Sequence, residues 1–181
     1  MSRFDAPLRH GTASHPVRCA ILISGSGSGM EAMLEHQQND PTCGHTTVVV
    51  ISDRSEASGV LKARNRGIEA RCIPLPTSYE GHERRLKHES FIQELLEEFD
   101  VELILLSGYM RLKSSQFVEL WAPRIINIHP SLLPAFPGAH AHRDVLASGV
   151  NVSGCTVHFV DSGMDTGQII AQRRVPVFLD D

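Results

Sequence analysis

In the stretch RIINIHPSLLPAFPGAHAHR, residues 124–143, Asn127 and His129 flank a single Ile128. Side chains alternate along an extended chain, so both point the same way. An amide offers donors fixed in direction, and an imidazole changes charge readily near neutral pH. Together they suit a carbonyl oxygen that gains negative charge: one group holds it and the other supplies a proton. Pro130, Pro134 and Pro137 follow, and a restricted backbone lowers the entropy cost of fixing such a geometry. The plainer reading is a polar strand end with one capping histidine.

Two other stretches carry chemistry. SGSGSGM, residues 24–30, is a glycine-rich turn between an apolar run and a helical one. Backbone N–H groups converge on an anion in such turns. Met30 stands where GxGxxG needs its third glycine, and no GK[ST] follows, so a single phosphate fits better than a dinucleotide; a turn without ligand is the alternative. HFVDSGMDTGQII, residues 158–170, places Asp161 and Asp165 four apart. A carboxylate near an imidazole stabilises its charged form and collects protons, although Asp and Gly are also common in exposed hairpin loops. Asp53 reads as a helix cap rather than a ribose ligand. Glu83, Arg84 and Arg85 read as a solvated helix face, from which one arginine could lean toward an anion. His140 and His142 lack the accompanying spacing of a zinc site. The serines at 24, 26 and 28 lack a GxSxG elbow.

These groups need a frame. Apolar runs at 17–24, 46–53, 68–75, 101–108 and 125–129 read as strands. Helical patterns fall at 30–38, 59–67, 82–99, 114–122 and 141–148, with Leu86, Phe91, Leu95, Leu96 and Phe99 marking the apolar side of the longest. Segments 154–160 and 167–177 resemble an antiparallel pair. The alternation predicts a single α/β domain: a mostly parallel, doubly wound, Rossmann-like sheet with a C-terminal antiparallel strand pair. Ligands gather at the carboxyl ends of such strands, which puts residues 25–29, 53, 108–113 and 127–129 on one rim.

The 181 residues are 41% apolar and 21% charged, which suits one domain with a sizeable core. A net charge of −4 gives no general attraction for nucleic acid or anionic membrane, and no apolar run reaches bilayer length. Residues 1–15 lack a signal-peptide core and read as a disordered leader to a domain at 16–181. The four cysteines form no CxxC pair. Three lie in or beside apolar runs, where reduced, buried thiols are expected, as in the cytoplasm.

From about Val17 onward, ILISGSGS, LLSGYMRL, NIHPSLLPAFPGAHAHR, SGCTVHFVDSGMDTGQII and VPV make the chain resemble the folate-dependent formyltransferases, nearest to the phosphoribosylglycinamide formyltransferases. The resemblance implies formyl transfer from 10-formyltetrahydrofolate to the amine of glycinamide ribonucleotide, with no metal required. It implies that Asn127 and His129 bind the formyl oxygen, while Asp165 keeps the ring charged and accepts a proton. It implies that Gly27, Ser28 and Gly29 bind the nucleotide phosphate. The pterin would lie between Met110, Arg111, Leu112 and Lys113 on one side and Asp161, Ser162, Gly163, Met164 and Asp165 on the other, beside Asn127. Arg85, with Arg84 adjacent, takes the place of a folate-contacting arginine. The implied partners are small molecules, without nucleic acid or membrane, for a monomer or homodimer. Gly29 departs from the asparagine common in the family, and beyond FLDD the family continues into a helix that helps bind the ribose phosphate. The alternatives are a formyltetrahydrofolate deformylase, another N-formyltransferase, or a non-catalytic folate- or nucleotide-binding relative.

Overall fold

The computed structural model describes residues 7–178. Strands and helices alternate as β1 (Val17–Ile23), α1 (Ser28–Asn39), β2 (His45–Ser52), α2 (Ser58–Asn65), β3 (Ala70–Cys72), α3 (Gly81–Glu98), β4 (Leu103–Ser107), α4 (Ser115–Trp121), β5 (Ile125–His129) and α5 (Ala141–Ser148). Then β6 (Val152–Phe159) and β7 (Ile169–Pro176) close the sheet, whose order is β3-β2-β1-β4-β5-β6-β7. The first five strands are parallel, and β6 and β7 are antiparallel to their neighbours. The expected doubly wound sheet with its C-terminal pair is what forms.

Alternation along the central strands feeds two cores. Ala20, Leu22, Ile104 and Leu106 face Ile92 and Leu96 of α3 and Phe117 and Trp121 of α4. Cys19, Ile21, Ile23 and Leu105 face Met30 and Leu34 of α1 and Val60 and Ala63 of α2. Burial on both faces explains why these strands read as continuous apolar runs. Chain direction across the sheet reverses between β1 and β4. Their outgoing loops part there and leave a crevice at the carboxyl ends.

Three expectations need correction. The third strand, expected over 68–75, ladders only at Ala70–Cys72, because Pro74 and Pro76 cannot donate to a ladder. The buried side of α3 runs through His88, Glu89, Ile92 and Leu96, not through Leu86 and Phe91. His88 Nε2–H donates to Ile73 C=O at 2.8 Å. The Glu89 carboxylate accepts the Ser114 backbone N–H at 2.8 Å and its hydroxyl. Polar residues can occupy a core face when loop backbone satisfies them. Of the three thiols expected to be buried, only Cys19 is; Cys72 and Cys155 are half-buried, as is Cys43, and all four are free.

The leader expected over 1–15 falls partly outside the described residues. From residue 7 onward it is tied down. Arg9 makes a forked pair with Glu102, Nε and Nη2 each 2.7 Å from a carboxylate oxygen, and also donates to His15 C=O. Thr12 and His15 form a bridge, and Leu8 packs on the α1/α2 core. In Arg9→Ala, amide hydrogen exchange is expected to quicken over residues 7–16 while β1 and β4 keep their protection. Unaltered exchange there would mean that the segment is held without this pair.

Candidate functional site

The crevice holds two adjoining cavities, of about 360 Å³ and about 220 Å³. Gly108 and Met110, in the loop after β4, border both.

The larger cavity contains the Asn127, His129 and Asp165 side chains. His129 is 3% exposed. Its Nε2 lies 2.8 Å from Phe136 C=O. A carbonyl only accepts, so this nitrogen carries a proton. The other nitrogen, Nδ1, lies 3.4 Å from Asp165 Oδ2. Asp165 is a non-glycine residue with φ 56°, a conformation uncommon for a side-chain-bearing residue. Its Oδ2 accepts Gly138 N–H at 2.7 Å, which fixes the carboxylate. Asn127 Nδ2 donates to His158 Nε2 at 3.1 Å and to Asp165 Oδ1 at 3.4 Å. His158 Nδ1–H is spent on Phe159 C=O at 2.9 Å, so its Nε2 is an acceptor and the Asn127 amide is oriented by it. The two loose contacts, 3.4 Å each, are those that converge on one carboxylate. They are weaker than the 2.7 Å bond from Gly138 N–H to the same carboxylate.

The proline loop holds this arrangement from behind. Ser131 Oγ–H lies within reach of Ala135 C=O and Phe136 C=O, at 2.6 and 3.1 Å. Thr156 Oγ1 donates to Ser131 C=O and accepts Leu133 N–H, at 2.7 and 3.0 Å. Gln172 Nε2 bonds Leu133 C=O at 2.8 Å. Thus β6 and β7 clamp a loop whose own backbone presents Phe136 C=O to the ring and Gly138 N–H to the carboxylate.

The opposite wall is the 110–113 segment. Glu89 anchors its end through Ser114, the N-cap of α4. Arg111 Nε pairs with Asp53 at 2.7 Å, and Met110 N–H donates to Ser24 Oγ at 2.8 Å. Asp53 is therefore no helix cap; Ala57 stands at the N-cap position of α2, which has no side-chain cap. Burial alone would push the Asp53 carboxyl up, but hydrogen bonds from Ser24 and Arg111 outweigh it and hold it below the usual carboxylate range. Lys113 is half-buried, with Nζ 4.1 Å from the Tyr109 ring centre. Burial lowers its pKa to about 8, against the pull of Glu89 and Asp53.

Arg85 borders the larger cavity, as do Asp161, Ser162, Gly163 and Met164. The Asp161 carboxylate is engaged within its loop, by Thr166 Oγ1 at 2.8 Å and Gly163 N–H at 3.0 Å. The smaller cavity is lined by Gly27, Ser28 and Gly29 with Ser107. Gly27 has φ 68° and precedes α1, whose first backbone bond is Glu31 N–H to Gly27 C=O. The N–H groups of Ser28, Gly29 and Met30 precede that bond and have no acceptor within the helix. A Cβ at Gly29 would lie 2.5 Å from Ser107 Oγ, so the serine hydroxyl stands where a side chain at 29 would begin.

All the residues proposed for the cleft from sequence thus fall around the two cavities. His158, Thr156, Gln172, Glu89 and Ser107 were missed. The contacts by which His158, Thr156, Gln172 and Glu89 reach Asn127, Leu133 and Ser114 span 23 or more residues of sequence, and Ser107 meets Gly29 from as far, so no local spacing marks them. Only His158 carried a signal, standing in the same HFVD stretch as the acids.

The chain matches the formyl transferase family over residues 17–181. It is 44% identical over 168 residues to the trifunctional purine biosynthetic protein adenosine-3 of Gallus gallus, covering 93% of this chain and 16% of that one. It is 37% identical over 164 residues to the phosphoribosylglycinamide formyltransferase of Escherichia coli (strain K12), covering 89% and 74% of the two chains. The crystal structure of phosphoribosylglycinamide formyltransferase from Brucella melitensis superposes with a TM-score of 0.82 at 42% identity, covering 92% of this chain and 83% of that one. The chain therefore spans about a sixth of the length of the trifunctional relative.

Thr156→Val keeps the shape but leaves the Leu133 N–H and Ser131 C=O without their partner. A destabilisation of about 1–3 kcal/mol is expected by urea unfolding; no loss would show that the loop is held otherwise. Lys113 gives a pH signature. Its folded pKa of about 8 lies below the ~10.4 of an unfolded lysine. The unfolded chain then binds more protons between these values, so stability rises with pH across that window and the penalty of the buried charge is complete below it. Melting curves of Lys113→Met should lose this rise and start higher at pH 7. A rise of the same size in the variant would contradict the assignment.

Proposed function

The chain belongs to the formyl transferase family, and on that premise we propose that it transfers a formyl group from 10-formyltetrahydrofolate to the amine of glycinamide ribonucleotide. One observation carries the reading. Asn127 Nδ2 and His129 Nδ1 approach the same Asp165 carboxylate in a cleft that adjoins a glycine-loop cavity. A carbonyl donor and a phosphorylated amine thereby meet near Gly108 and Met110.

The neutral amine attacks the formyl carbon. As the C–N bond forms, the carbonyl electron pair moves onto oxygen. Donors already aimed at that oxygen lower the barrier, because they need no reorganisation as the charge appears. Asn127 Nδ2 and protonated His129 Nδ1 are those donors. Since Phe136 C=O occupies Nε2–H, the mobile proton is the one on Nδ1, facing the cleft. Asp165 compensates the ring's charge and takes the proton released by the attacking nitrogen, directly or through water. Collapse of the intermediate breaks the bond to the folate nitrogen, which leaves with a proton.

The folate heterocycle fits between the exposed Met110 and Leu112 side chains and Met164, with Arg85 at the rim toward the acidic end of the cofactor. Backbone N–H groups of Ser28 and Gly29 at the start of α1 bind the phosphate. Ser107 Oγ supplies the polar contact that the family's asparagine provides from position 29. His158 acts as a positioning residue for Asn127.

Purified protein is to be given 10-formyltetrahydrofolate with and without glycinamide ribonucleotide while folate release is followed spectroscopically. Release is expected only with the nucleotide. Release without it identifies a hydrolase, and bound but unreacted folate identifies a binding protein. Asn127→Ala should lower kcat by about 10²–10³-fold, the loss typical of one oxyanion donor. Ser107→Ala should raise KM for the nucleotide and spare kcat; an unchanged KM would remove Ser107 from the phosphate site.

A further inference from the structure

At the opposite end of the sheet from the cleft, His36 in the last turn of α1, Cys43 in the following loop and His45 at the start of β2 come together. One ligating atom from each lies within 4.8 Å of the others. The two imidazole rings stand 6.0 Å apart, tilted by 38°. Cys43 and His45 are half-buried and His36 is exposed. Ligands around tetrahedral zinc sit roughly 3.3–3.8 Å apart, given bonds of about 2.0–2.3 Å, so small side-chain rotations close the set. We propose that His36, Cys43 and His45 bind a borderline-soft divalent cation of the zinc class, with water completing the coordination.

Several features favour this. A thiolate with two imidazoles selects zinc, cobalt or nickel over magnesium or calcium. The site lies at the carboxyl end of α1, where the helix dipole favours positive charge. The Asp40 carboxylate, in the turn between His36 and Cys43, adds compensating charge; the Thr42 hydroxyl holds it at 2.6 Å. Two contacts give way on binding. The Cys43 thiol, 3.3 Å from His45 C=O, releases its proton. Gln37 Nε2, 2.9 Å from His45 Nδ1, yields that lone pair if Nδ1 ligates; if Nε2 ligates, the ring proton moves to Nδ1 and Gln37 reorients.

Co²⁺ titration of the full chain under reducing conditions is the test, with Zn²⁺ as competitor. One equivalent is expected to bind with visible bands of tetrahedral intensity and a thiolate-to-cobalt charge-transfer band, both erased by Zn²⁺. Cys43→Ser should abolish the charge-transfer band. His36→Gln, at an exposed position where folding is not at risk, should weaken binding by more than the ~10–100-fold that loss of an outer-sphere partner causes. Formyl transfer should be unchanged in both variants, since neither residue borders the cleft. Absence of the charge-transfer band in the parent, or its survival in Cys43→Ser, would overturn the proposal. Undiminished affinity in His36→Gln would do so as well.

Discussion

The cleft depends on how one imidazole is held. His129 is pinned between Phe136 C=O, 2.8 Å from Nε2, and the Asp165 carboxylate, 3.4 Å from Nδ1. The tight contact sets the ring's orientation and tautomer; the loose one leaves Nδ1 on the side of Asp165. Gly138, two residues beyond Phe136, fixes the carboxylate in turn at 2.7 Å. A short piece of backbone therefore aims both members of the pair. A main-chain carbonyl and N–H cannot change rotamer, so the geometry is as stiff as the loop that carries them.

That stiffness is bought from distant elements. Thr156 on β6 and Gln172 on β7 satisfy the backbone of residues 131–133. These strands are the antiparallel ones, and β7 is exposed along its whole length. An edge strand adds little to the core here, but it supplies the donor that closes the clamp. On the other wall, buried Glu89 and Asp53 hold the 110–113 segment through Ser114 and Arg111. Charged groups in such positions are expensive unless fully partnered. Glu89 takes two hydrogen bonds from Ser114, and Asp53 takes one from Arg111 while its buried Oδ1 has no partner among the described residues, so Glu89 is the better compensated of the two anchors.

Much of this was legible in the sequence, and the reasons for the failures are physical. Asn127 and His129 share a side because strand side chains alternate. The rim position of residues 25–29 and 108–113 follows from parallel strand order. Prolines after His129 signalled a rigid loop, but not that Phe136 C=O and Gly138 N–H would be its working groups, since backbone atoms carry no residue code. His88 and Glu89 broke the apolar pattern of α3 because their burial is compensated by partners in Ile73 and Ser114, far along the chain. Asp53 looked like a cap for the same reason: its partner, Arg111, is 58 residues away. Whether a side chain fits at position 29 is also a tertiary matter, since a Cβ there would lie 2.5 Å from Ser107 Oγ at the end of β4.

The tautomer of His129 tests the account most directly. In ¹⁵N-histidine-labelled protein with the cleft empty, the signals of this ring can be assigned among the ten histidines by their loss in a His129→Gln sample. In its neutral form the ring is predicted to carry its single proton on Nε2, with Nδ1 bare and facing Asp165. A neutral ring protonated at Nδ1, or one hopping between tautomers, would show that Phe136 does not hold it and that the geometry proposed for proton transfer is wrong.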